Sequence, residues 1–421
     1  MTDKIMLETL ARYNFWKGEQ IEAGFTRQAY LDRLASFIGN SLVKIVLGQR
    51  RTGKSYVLRM LMRHLVETQN VPPQNIFYVN MDIQSLRFIR DSQILMELLD
   101  EYRKQLRPSG KIYVFLDEVQ EIAGWEKAVN SLSQDYKTAY EVFVTGSNAH
   151  LLSTELSTYL SGRYVTLDVY PFSFAEYLDY FHESRSATSF AAYLRLGGLP
   201  ELYRLEGEEI RRNYVSSLRD SIVLRDIVQR HQVRDTALLN RLIDFMTDSQ
   251  GAMVSANKMV GTLAAEGVST NVETLGAYLG YLCESYFLHE VQRYDIKGRR
   301  LLAGERKYYL NDLAFKAQLM SGANPSTGRM LENIIYLHYR REGYRIHTGR
   351  VGQGEIDFVL QKGDAVRYVQ VCYLLGDDRI IEREFGNLER TGDHYPKTVI
   401  SMDAISLGNI RGIAHLQAWE L

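Results

Sequence analysis

Gly48-Gln49-Arg50-Arg51-Thr52-Gly53-Lys54-Ser55 follows the apolar run Leu42-Val43-Lys44-Ile45-Val46-Leu47 and leads into a helical pattern through Glu67. The spacing G-x-x-x-x-G-K-S/T between a strand and a helix is that of a phosphate-binding P-loop. Gly48 and Gly53 let the backbone curl until successive N–H groups face inward at phosphate oxygens. The helix that follows adds its positive dipole end to the same anion site. In such a loop Lys54 reaches the β- and γ-phosphates and the Ser55 hydroxyl ligates Mg²⁺. A glycine-rich turn can match by accident, but it seldom has a strand on one side and a helix on the other. The stretch reads as a nucleotide site.

The rest of the chain limits what such a site can serve. Its 421 residues leave room for several domains, and 45% hydrophobic with 24% charged residues is the composition of an ordinary globular protein. A net charge of −1 exerts no global pull toward nucleic acid or an anionic membrane, so affinity of either kind must be local. Cys283 and Cys372 are too few and too far apart for a disulfide framework or a zinc site. The opening Met1-Thr2-Asp3-Lys4 lacks the apolar core of a signal peptide, and no run approaches a membrane span. A cytoplasmic protein with no membrane partner is expected.

Residues 1–40 carry a helical apolar pattern around Tyr13-Asn14-Phe15-Trp16, an arm whose aromatics pack either over a nucleotide base or, as the preferred reading, simply against the body of the domain. From Leu42 onward short apolar runs alternate with helices. The runs are Ile76–Met81, Ile112–Glu118, Tyr140–Asn148 and Tyr164–Val169. That alternation predicts an α/β fold with a parallel sheet covered on both faces over residues 41–171.

Two of these runs end in chemistry. Asp117-Glu118 closes an apolar strand in the Walker B pattern: Asp117 would bind Mg²⁺ through water, and Glu118 would polarise the attacking water. An Asp-Glu pair is common, but downstream of a P-loop it gains weight. Asn148 would be a polar sensor of γ-phosphate or attacking water, with a helix N-cap as the alternative. Arg163, just before the fifth run, offers an arginine finger or sensor, with a surface ion pair as the alternative.

These segments together resemble the large group of bacterial and archaeal AAA-type ATPases that join a P-loop core to a C-terminal domain of unknown function. The resemblance is carried by Arg27–Leu31, Arg50 within the P-loop, Leu116–Gln120, Thr145–Asn148, Leu160–Arg163, Pro171–Tyr177 and Gly197–Glu201. It implies ATP and Mg²⁺ as cofactors, Arg50 among the nucleotide-binding residues, and a Walker B strand one place removed from the P-loop strand. The strand between them would carry the sensor. If Arg163 serves a neighbouring subunit, the chain forms a homo-oligomer.

Residues 172–250 read as a helical lid or linker. Arginines and aspartates alternate from Arg219 to Asp235 as on a solvated, ion-paired face, and Gly197-Gly198-Leu199-Pro200 marks a hinge or lid junction. Residues 251–320 have winged-helix order: helix Ala256–Glu266, a turn, a second helix capped by Thr270, then two β-runs around a basic turn. Arg293, Lys297, Arg299, Arg300, Arg306 and Lys307 there suit weak, sequence-independent contact with DNA phosphates. An internal or protein-binding winged helix is the alternative. After a linker at 321–326, residues 321–421 resemble the PD-(D/E)XK nuclease core. Glu332, Asp357 and Gln370 fall at the metal-facing positions, and Cys372 stands where active members have lysine. Lys362 and Lys397 are candidates for a relocated lysine.

The sequence thus predicts an AAA-type P-loop core followed by a helical and winged-helix region and a PD-(D/E)XK-like α/β domain. The expected function is ATP hydrolysis coupled to a nuclease-like domain that does not cut. A nucleotide-gated switch with slow hydrolysis, or an active ATP-dependent nuclease, are the rivals.

Overall fold

The computed structural model describes residues 3–152, 159–320 and 327–421, and the chain divides into two compact units, Met1–Val169 and Tyr170–Leu421. In the first unit the strands are β1 (Val43–Leu47), β2 (Ile76–Asn80), β3 (Ile112–Asp117), β4 (Tyr140–Gly146) and β5 (Tyr164–Asp168). All pair in parallel, in the order β2-β3-β4-β1-β5. Every residue of β1, β3 and β4 is buried, as expected where helices cover both faces of a parallel sheet. Even Lys44 of β1 is out of water. Burial pushes its pKa down, and Glu141 of β4 opposes that by pairing with it. Glu141 also holds Lys111 at 2.8 Å.

The aromatic arm docks on the outer edge of β2. Asn14 lies along that strand like an added rung, donating to Tyr78 O at 2.8 Å and accepting from Tyr78 N at 2.8 Å. Trp16 Nε1 donates to Ile76 O at 2.6 Å, and its ring packs on Tyr102. These bonds satisfy edge groups that would otherwise template another strand. The cluster is a cover for the sheet edge.

In the second unit nine strands form one sheet: β6 (Met253–Val254), β7 (Leu288–Asp295), β8 (Arg300–Leu310), β9 (Arg345–Val351), β10 (Gly354–Lys362), β11 (Ala365–Val371), β12 (Lys397–Ser401), β13 (Asn409–Ile410) and β14 (Ile413–Gln417). Their order is β13-β14-β12-β11-β10-β9-β7-β8-β6. The helices Ala256–Ala265 and Val272–Glu284 precede the β7–β8 hairpin. The second is capped by Asn271, whose side chain accepts from Thr274 N, and not by Thr270. The hairpin is continuous with the strands after it in the chain. β7 pairs in parallel with β9 through Arg293↔Thr348, Tyr294↔Gly349 and Asp295↔Arg350. Gly349 permits this closeness, since a Cβ there would sit 2.8 Å from Ile296 and 2.9 Å from Val359. The expected linker at 321–326 lies outside the described residues.

Two expectations change in the helical region. The alternating Arg/Asp stretch continues the helix Glu208–Ser221 as a π-helical segment, Ile222–Val228, and Asp226 within it is buried. It is not a uniformly solvated face. Nor is Gly197-Gly198 a loose hinge. The Asp312 carboxylate accepts from Gly198 N at 2.7 Å and from Ala314 N at 2.8 Å, and Tyr203 OH donates to Gly197 O at 2.9 Å. Gly197 is left-handed at φ 79°, and a Cβ on it would meet Asp312 Oδ1 at 2.2 Å.

Burial pushes the Asp312 carboxyl up to about 6, against the pull of its two N–H donors and of Arg341. A carboxyl whose folded value lies above its unfolded one contributes stability at low pH. That contribution fades as pH rises from about 4 toward 6. Asp312→Asn removes it, so the variant's unfolding midpoint should gain on the wild type's across that window and hold steady above it. Parallel denaturation curves at each pH check this, and a constant difference would assign the pH dependence elsewhere.

Candidate functional site

The sheet register brings the ends of β1, β4 and β3 side by side, because Leu47 lies opposite Gly146 and Leu116 opposite Val144. The P-loop leaves β1 through Gly48, which no other residue could replace: a Cβ there would lie 2.2 Å from Val169 O. Gly53, at φ 96°, turns the chain into the helix Lys54–Glu67. Arg27 braces the loop from behind, donating to Thr52 O at 3.0 Å while its guanidinium lies over the Tyr30 ring.

Lys54 is buried and points back along the loop. Its Nζ donates to Gly48 O at 3.0 Å and Gln49 O at 3.1 Å, and it lies 3.4 Å from Glu118 Oε1. Glu118 sits just past β3 in the left-handed region at φ 55°, a conformation that costs a non-glycine residue and recurs at functional sites. Burial alone would push its carboxyl up, but Lys54, Arg50 and Gln120 outweigh burial and hold it below the usual glutamate range. Asp117 goes the other way: burial and the adjacent Glu118 raise it, against hydrogen bonds from Thr145 and Ser55 and the charge of Lys54.

Thr145, singled out in the sequence only within the family resemblance, contacts both acidic residues. Its hydroxyl donates to Asp117 Oδ1 at 2.6 Å and accepts from Glu118 N at 2.8 Å, so one side chain positions both acidic residues. Tyr78 OH donates to the other Asp117 oxygen at 3.1 Å. The available signal was a hydroxyl residue near the end of the strand beside the Asp-Glu strand. Asn148 is fully buried just past the end of β4, on the strand between β1 and β3. Arg163 is not brought to this site. Its carbonyl accepts from Val43 N at 3.0 Å, beside the opening residues of β1 and β5, so it lies a whole strand length, about 16 Å, from the loop.

A second cluster forms in the other unit. Glu332 on the helix Thr327–Arg341, Glu355 and Asp357 on β10, and Gln370 on β11 converge, with Gln370 Oε1 accepting from Asp357 N at 3.4 Å. At their centre is Lys307 of β8, its Nζ 2.7 Å from Glu332, 2.8 Å from Glu355 and 3.3 Å from Asp357. Lys362 bonds to Glu342 O and Lys397 to Asp393, so neither is the lysine at this cluster. Burial and Glu332 push Asp357 up to about 7 against the pull of Lys307, as expected where three carboxylates share one ammonium.

The basic turn is thinner than its letters suggest. Arg293 pairs with Glu305 and Arg306 with Glu290, while Lys307 is buried; Lys297, Arg299 and Arg300 remain exposed. Among the described residues no helix is long and apolar enough to cross a membrane.

An AAA domain family matches residues 40–178, and a domain of unknown function (DUF8612) matches residues 187–326. An uncharacterised protein of Haemophilus influenzae is 34% identical over 396 residues, covering 93% of this chain and 97% of its own. Another, from Methanocaldococcus jannaschii, is 25% identical over 387 residues, covering 87% and 81%. A solved Walker-type ATPase of Pyrococcus abyssi is 16% identical, covering 70% of this chain and 96% of that one at a TM-score of 0.40. With the nucleotide loop inside the matched AAA domain and the likeness running nearly end to end, this chain belongs to the family of the Haemophilus influenzae protein, a family of AAA-type P-loop ATPases.

Proposed function

We propose that the chain binds Mg-ATP at Gly48–Ser55 and hydrolyses it, and that nucleotide state governs a winged-helix segment and a nuclease-like segment that does not cut. The observation that carries the ATPase reading is the 3.4 Å contact between Lys54 and Glu118. Phosphate oxygens are charged and outcompete the loop carbonyls of Gly48 and Gln49 for the ammonium. As Lys54 turns to the phosphates, Glu118 loses its largest opposing charge. Its carboxyl rises and it becomes a stronger base toward a water aligned on the γ-phosphate. Asn148 orients that water or senses the phosphate. Ser55 and Asp117 are a hard oxygen pair and would hold Mg²⁺, which when bound neutralises phosphate charge.

The second reading, a nucleotide-gated switch with slow turnover, is favoured by the same geometry, since a depressed Glu118 is a weak base until its partner leaves. Turnover measured with and without DNA separates the two: stimulation fits a DNA-directed motor, and negligible turnover with ATP-dependent partner binding fits a switch.

Lys54→Ala should abolish productive nucleotide binding, and Glu118→Gln should keep binding while slowing hydrolysis by orders of magnitude. Thr145→Val should cost about 10- to 100-fold, the usual loss when a residue orienting the reactive groups is removed. Steady-state turnover with fluorescent-nucleotide binding reads all three. Full turnover in Lys54→Ala and Glu118→Gln would remove the site from catalysis.

Arg163, at the opposite end of the strands from its own loop, would act on a neighbouring subunit in a homo-oligomer, where an arginine finger supplies roughly 10³-fold or more. Mixing Arg163→Ala with Glu118→Gln chains should therefore restore part of the lost activity. Verified mixed oligomers without recovery would exclude the trans role.

The winged-helix reading rests on two capped helices followed by a hairpin, with three exposed cations at its turn. Neutralising Lys297, Arg299 and Arg300 together should lower the salt slope of DNA binding by about three if each meets one phosphate. An unchanged slope, or no binding by the native chain, would make the hairpin an internal or protein-binding element.

A further inference from the structure

The metal-facing positions of the nuclease-like segment do hold carboxylates, but the space between them is already taken. Lys307 reaches it from β8, a strand fixed on both sides by β7 and β6. Its ammonium has three N–H groups and finds three carboxylates, Glu332, Glu355 and Asp357, at 2.7, 2.8 and 3.3 Å. Those are hydrogen-bond distances, longer than the roughly 2.0–2.6 Å at which carboxylate oxygens hold Mg²⁺ or Ca²⁺. Other donors reach two of the same carboxylates. Tyr309 OH donates to the same Glu332 oxygen at 2.6 Å, and Val371 N donates to the second Asp357 oxygen at 2.9 Å. Gln370 adds a neutral amide, its oxygen turned to the Asp357 backbone. Among the described residues, no three His, Cys, Asp or Glu side chains are arranged to hold a metal ion.

We infer that Lys307 is a tethered cation standing where the nuclease-like arrangement would hold a divalent metal, so that this acidic centre is closed to Mg²⁺ and Mn²⁺ and its carboxylates bind the β7–β8 hairpin to the sheet instead. A metal ion cannot share the position: it would lie within a few ångströms of a fixed positive charge and compete with the ammonium for the same oxygens. Burial alone would lower the Lys307 pKa, but the three carboxylates together hold it above the ordinary lysine range.

The inference rests on the nuclease-like reading for its expectation of a metal and is independent of the ATPase. It is tested on the full, nucleotide-free chain by Mn²⁺ titration, following the loss of the free-ion EPR signal, and by thermal unfolding with and without Mn²⁺. The wild type should show no site that Asp357→Asn abolishes, and its unfolding temperature should not respond to Mn²⁺. Lys307→Met leaves the carboxylates without their counter-ion. That variant should unfold at a lower temperature and regain stability with Mn²⁺. It should bind one equivalent at least tenfold more tightly than the wild type, and lose that site in Lys307→Met/Asp357→Asn. Lys307→Arg should behave as the wild type.

An Asp357-dependent Mn²⁺ site in the wild type would overturn the inference while leaving the nuclease-like reading standing. A folded Lys307→Met that binds no Mn²⁺ would overturn both. Should Lys307→Met fail to fold, Lys307→Gln takes its place under the same criteria, and the wild-type titration retains the power to refute.

Discussion

Lys54 and Glu118 are both buried and 3.4 Å apart, and the architecture of the first unit is what puts them there. A buried charge without a partner costs several kcal/mol, so wherever the fold takes a charge out of water it must bring a counter-charge to the same place. Lys54 begins the helix after β1, and Glu118 ends β3. These strands are not neighbours; β4 lies between them. The pair can meet only because three parallel strands end at one level, and Thr145 on the intervening strand holds the acidic residues from the side. Lys44 with Glu141 applies the same rule inside the sheet.

The first unit was the more legible because its chemistry is written locally. The P-loop needs adjacent residues only, and Asp117-Glu118 is a dipeptide at a strand end. The strand order followed from the family resemblance, and β4 does separate β3 from β1. The contacts of Thr145 were not legible, because a threonine in a strand looks like any β-former until the neighbouring strand is known. Nor was the distance of Arg163 from its own loop, since direction along a strand becomes a distance only when the register is fixed.

The second unit was less legible for a related reason. Glu332, Asp357 and Gln370 lie together in the fold. The lysine at their centre, Lys307, lies in a segment read as a basic wing, before a linker and the start of another domain. Nothing local distinguishes it from Arg306, which faces Glu290 on the other side of the same strand. The parallel pairing of β7 with β9 makes one sheet of both segments and turns a surface cation into a buried one. Composition suggested DNA phosphates for this lysine, whereas the register gives it carboxylates.

The two lysines meet one electrostatic demand in different ways. Lys54 has one carboxylate and two backbone carbonyls, all weaker partners than a polyphosphate, and its loop N–H groups form an anion site of their own. In the proposed ATPase its ion pair is the one that nucleotide breaks, and breaking it would change the basicity of Glu118. Lys307 has three carboxylates from two other elements and no backbone loop in which an anion could settle. A competing cation would have to displace a charge that is covalently part of β8. The difference is one of reversibility: in the proposed ATPase nucleotide exchanges the first pair, whereas the second is tied to a strand of the sheet.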